Sequence, residues 1–144
     1  IENLSNELIK LENWMKKYPS VKVVWTHGLA WRLFVRGDEM KIPELIYKSM
    51  PTDNSNFYLQ LLFPVLLGDI WDYPMKQVLP TLKELNNRIG SDRLIWGTDI
   101  PMVMRFFTYK QCLDQIYIYG REVLSDNDIS MICGGTMSEL MTIN

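Results

Sequence analysis

The sequence predicts an α/β fold with three parallel strands and crossover helices, and three observations carry that expectation. Short apolar runs at 21–25, 57–62 and 93–97 alternate with longer stretches whose apolar residues recur every three or four positions. The intervals between the runs are long enough for the right-handed crossovers that parallel pairing needs. Each run also exits into a loop marked by Gly, Asp or Pro, the strand end at which α/β enzymes keep their chemistry.

Taken in order, Leu4, Leu8, Leu11 and Trp14-Met15 form the stripe of an amphipathic helix that closes on Lys16-Lys17 and is stopped by Pro19. Residues 21–25 are the first strand, and Thr26-His27-Gly28 is its exit. Between 29 and 50 the pattern predicts a short helix at 33–35, a turn at Gly37-Asp38 and a helix entered at Pro43. Residues 57–62 are the second strand, with Pro64 and Gly68-Asp69 marking the loop beyond. Asp72 is the candidate cap of a helix running to Gly90, and Pro80 predicts that the helix proper begins there. Residues 93–97 are the third strand. A helix over 109–123, a capping box at Ser125 and Asp128, and a second such device at Thr136 and Glu139 complete the chain.

With 144 residues the chain is expected to form one domain, 1–144, burying about two-thirds of its unfolded surface. Its 47% hydrophobic and 22% charged residues are ordinary for a globular protein. The apolar stretch 57–67 is interrupted by Gln60 and Pro64 and is too short to cross a bilayer. A net charge of −2, with no basic cluster beyond Lys16-Lys17, argues against nucleic acid or an anionic membrane as partner. Cys112 and Cys133 lack the spacing of a zinc site or disulfide framework, so reduced core thiols and a cytoplasmic protein are expected. The chain opens at Ile1 into a helical pattern with no signal segment, which reads as a processed chain or a fragment.

Two segments carry a resemblance. Tyr18-Pro-Ser-Val-Lys-Val-Val-Trp-Thr-His-Gly28 and Ser91-Asp-Arg-Leu-Ile-Trp-Gly-Thr-Asp-Ile-Pro101 are similar to strands six and eight of the amidohydrolase-related, metal-dependent (β/α)8 (TIM-type) barrels. That family includes hydrolases and non-oxidative decarboxylases (lyases) of small carboxylic acids. The end of the chain resembles the family ending too, with Thr136 in place of its Asn, whereas Leu29 follows Gly28 where a second glycine is common. The resemblance implies the C-terminal portion of the barrel, units six to eight. The family's His-x-His pair on strand one then has no counterpart here, since His27 is the single histidine.

His27 suits three roles: ligand to a metal, orienter of a substrate carboxylate, or proton shuttle; the plain alternative is a strand-end residue bonded to backbone. Asp99, by the resemblance, is expected to ligate or lie beside a divalent metal, zinc above all, and to act as the base on a metal-bound water; the alternative is a cap or Asx-turn before Pro101. Arg32, Arg36, Trp31 and Trp71 suit an acidic aromatic substrate, although surface salt bridges and core packing explain them at least as well. Arg93, before the third strand, is expected to be structural. The function implied is hydrolysis or decarboxylation of a small carboxylic acid, in company with an N-terminal half that completes the barrel. The rival is a silent half-barrel that assembles through its open sheet edges.

Overall fold

The computed structural model describes residues 1–142 and shows a three-stranded parallel sheet flanked by helices. Helix α1 (Glu2–Lys17) buries Leu8 and Met15, with Glu2 in its first turn and Lys16 and Lys17 in its last, as the helix dipole favours. Trp14, from the same apolar stripe, is instead exposed and stacks on Tyr18. Strand β1 (Val23–Trp25) follows.

The segment after β1 departs from the expected short helix at 33–35. A 3-10 turn (Trp31–Phe34) leads into a small antiparallel hairpin, β2 (Val35–Arg36) and β3 (Glu39–Met40), around Gly37-Asp38. Helix α2 (Glu44–Ser49) is entered at Pro43, and the buried hydroxyls of Ser49 and Ser5 tie it to α1 at 2.6 Å. Strand β4 (Phe57–Leu61) is followed at once by a short helix, α3 (Phe63–Leu67), with Pro64 in the first turn, where its missing N–H costs nothing.

Helix α4 (Leu79–Ile89) begins one residue before Pro80, as that proline predicts. Asp72 therefore does not cap it; its backbone carbonyl accepts from Met75 N–H in a preceding turn. After β5 (Leu94–Trp96) come α5 (Tyr109–Tyr117), α6 (Asp126–Ser130), a π turn (Met131–Gly135) and α7 (Thr136–Met141). The Ser125–Asp128 capping box is formed as read, and a second, at Thr108 and Gln111, opens α5. Thr136 does not cap: its hydroxyl donates to Ser91 O at 2.7 Å and ties the last helix to the foot of β5.

The strand order is β1-β4-β5, with both pairings parallel. The register puts Val23, Trp25, Phe57, Leu59, Leu61, Leu94 and Trp96 on one face and Val24, Tyr58, Gln60 and Ile95 on the other. Phe57, Leu59, Leu61 and Leu94 join one buried cluster with Leu8 and Met15 of α1 and Leu82, Leu85 and Ile89 of α4. Tyr58 and Gln60 stay half-exposed. Among the described residues, no helix is long and apolar enough to cross a membrane.

Candidate functional site at the C-terminal end of the sheet

The site is built where β1 and β5 end, on either side of β4. Beyond β1, His27, Gly28 and Ala30 take left-handed backbone conformations (φ 58°, 63° and 55°), as does Asp99 beyond β5 (φ 52°). For a residue with a side chain that conformation costs roughly 1–2 kcal/mol. Gly28 is required on two counts: its φ is positive, and a Cβ there would lie 2.1 Å from Nε1 of the fully buried Trp31.

These turns bring His27 Nε2 to 3.9 Å from Asp99 Oδ1, with side-chain exposures of 63% and 32%. The turn after Asp99 is closed by its backbone: the Asp99 carbonyl accepts from Met102 N–H at 2.7 Å and Val103 N–H at 3.4 Å. The side chain that accepts locally is Thr98, whose Oγ1 lies 3.4 Å from Ile100 N. The Asp99 carboxylate makes no hydrogen bond among the described residues, so it is not spent on an Asx-turn. The His27 ring lies 3.4 Å through Nδ1 from Thr26 Oγ1, and its backbone N–H donates to Gln60 Oε1 at 3.3 Å.

The other residues singled out from the sequence are placed differently. Arg32 donates through Nε to Leu66 O at 2.9 Å and through Nη2 to the Asp69 carboxylate, joining the loop after β1 to the end of α3. That hydrogen bond holds the Asp69 carboxyl below its ordinary range. Arg36 turns back on carbonyls of Leu33 and Val35. Trp31 packs against Phe63 in the core, and Trp71 is 7% exposed. Beneath the site, Cys112 of α5 holds its Sγ 4.0 Å from Gly97 O; burial pushes this thiol up to about 12, so it is a neutral packing group at ordinary pH.

Two donors 3.9 Å apart are within reach of one ion, whose bonds to His and carboxylate run about 2.0–2.2 Å, but a catalytic zinc takes about three protein ligands. Among the described residues, no three His, Cys, Asp or Glu side chains converge. The donor set of this chain alone therefore does not make a metal centre. Concavities of about 340 and 360 Å³ open elsewhere, one beside the hairpin and α4, the other at Pro19 and the loop before β4, and the His27 side chain is largely exposed.

A family model described as amidohydrolase matches residues 6–137, which includes β1, β4, β5 and both candidate residues. The chain belongs to the amidohydrolase family. No curated protein and no solved structure matches it. The three parallel strands are thus part of an amidohydrolase (β/α)8 barrel, and His27 and Asp99 lie at the C-terminal end of its strands, where such barrels place their chemistry. Amidohydrolases generally use divalent metals.

Gln60 is the site residue that motif reading did not reach. Its signal was an amide in the middle of an otherwise apolar and aromatic strand, two residues from Tyr58 and so on the face opposite Phe57, Leu59 and Leu61.

Proposed function

We propose that this chain carries the C-terminal share of an amidohydrolase-type active site that acts on a small carboxylic acid, by hydrolysis or non-oxidative decarboxylation, once barrel units one to five are supplied. The observation that carries the reading is the approach of His27 Nε2 to the unbonded Asp99 carboxylate across β4. Asp99 holds a proton acceptor toward the reacting centre. The His27 imidazole, beside it, orients a substrate carboxylate or passes a proton to or from the acid. Asp99 would also serve as a ligand of a divalent metal, zinc by the family's chemistry, with the remaining ligands from outside this chain. Such an ion supplies Lewis-acid polarisation of the substrate. Arg32, the guanidinium nearest in chain to His27 on the same end of the sheet, is the group offered to a second substrate carboxylate if it exchanges Asp69 for it. Reduced Cys112 and Cys133 fit a cytoplasmic setting.

The test is to measure bound metal and turnover of small carboxylic acids for this chain alone, for the chain mixed with an N-terminal segment carrying units one to five, and for that mixture with Asp99→Asn. The reading requires activity only in the unsubstituted mixture. A mixture that stays inactive and metal-free on every acid tried removes it. Two observations favour a second reading: among the described residues, β1 and β5 are edge strands with no further strand partner, and the metal-ligand set is incomplete. On that reading the chain is an assembly module that pairs its edges with another copy, and light scattering would find a dimer with no metal dependence.

A further inference from the structure

The geometry points to Gln60 as the positioning residue that sets the separation of His27 and Asp99; this rests on the reading that the two act together. Gln60 lies on β4, the strand between the two that deliver the pair, and its side chain touches both exits. On one side Oε1 accepts the His27 backbone N–H at 3.3 Å. That donor identity fixes the orientation of the amide, because an N–H there needs an oxygen. On the other side Nε2 lies where a Cβ on Gly97 would come within 2.6 Å, with Leu62 Cδ2 at 2.8 Å beyond it. The absence of a side chain at Gly97 lets the Gln60 amide lie against the backbone two residues before Asp99. The one side chain spans the gap from the left-handed turn at His27 to the foot of the Asp99 turn.

The hydrogen bond also answers a local need. A left-handed His at a strand end is unfavourable, and its N–H has left the parallel ladder; the amide oxygen offers that N–H a partner in the geometry the turn imposes. Of the residues Gln60 could be replaced by, Met keeps its length and fills the space over Gly97 but cannot accept, whereas Glu keeps the acceptor. Gln60 is not one of the groups to which chemistry is assigned.

The experiment is an NMR double-mutant cycle on the 144-residue chain. It reads hydrogen exchange of the His27 amide and the displacement of the His27 Hε1 resonance caused by Asp99→Asn, each in the unsubstituted, Gln60→Met and Gln60→Glu backgrounds. The inference expects Gln60→Met to speed His27 amide exchange about fivefold, the loss of one hydrogen bond, and to reduce the Asp99→Asn displacement by roughly half, with Gln60→Glu restoring both. Unchanged exchange and an unchanged displacement in Gln60→Met would reduce Gln60 to space filling and overturn the inference. If Asp99→Asn fails to move Hε1 even with Gln60 intact, the pairing of His27 with Asp99 is overturned first, and the positioning role falls with it.

Discussion

At the N-terminal end of the sheet the Arg93 guanidinium donates to the carbonyls of Thr52, Asn54 and Ile89, while at the C-terminal end the Asp99 carboxylate faces His27 at 3.9 Å and accepts no hydrogen bond among the described residues. The first end is stapled further by Asn56 Nδ2 to Pro19 O at 2.7 Å and by Thr136 to Ser91. The second holds left-handed His27, Ala30 and Asp99. The Arg93, Asn56 and Thr136 groups are spent on holding the strands together, whereas the Asp99 carboxylate is left free among the described residues and its turn, like that of His27, is strained. That division is the one a barrel makes between its stability face and its reactive face.

Substitutions on the two ends should therefore act in opposite directions. Arg93→Ala strips charged donors from three carbonyls, and urea unfolding should show a loss of about 3 kcal/mol with the Asp99 dependence of the His27 resonance retained. Thr136→Val keeps shape but leaves Ser91 O without its buried donor, for a loss of about 1–2 kcal/mol by the same measurement. His27→Gly should instead gain about 1 kcal/mol, because glycine adopts the left-handed backbone without penalty. A destabilised His27→Gly would erase the contrast between the ends.

The smallest effect is in acid. The Ser125 and Ser91 hydroxyls hold the Asp128 carboxyl below its usual range. A depressed carboxyl contributes stability that is fully present above its unfolded value, about 3.9, and is lost as pH falls through the lower folded value. Asp128→Asn should therefore be less stable at neutral pH and converge on the unsubstituted chain as pH drops below about 4 in stability-against-pH curves.

Much of this was legible from residues alone. The three strands are apolar runs with strong β-formers, and a proline limits where α4 can begin. Arg93, a charge just before a buried strand, read as structural and is bonded to three backbone carbonyls. What escaped has physical reasons. The hairpin strands are two residues each, too short for alternation to register. α3 hides because an apolar strand runs straight into an apolar helix, and a proline in a first turn looks like a stop. Thr136 has the sequence of a cap, but tertiary contact with Ser91 claims its hydroxyl. At the site, His27 and Asp99 stood out as polar groups at strand exits, whereas Gln60 acts through a bond to a residue 33 positions away that no local pattern records.

The central claim is that Asp99 is one ligand of a divalent-metal site completed from outside this chain, with His27 beside it as the substrate-orienting or proton-passing group. Its most direct test is calorimetric titration of Zn²⁺ into this chain, with and without an N-terminal segment carrying barrel units one to five. The account predicts weak binding by the chain alone and one tight equivalent on complementation, lost with Asp99→Asn. Tight binding by the isolated chain, or complementation indifferent to Asp99→Asn, would contradict it.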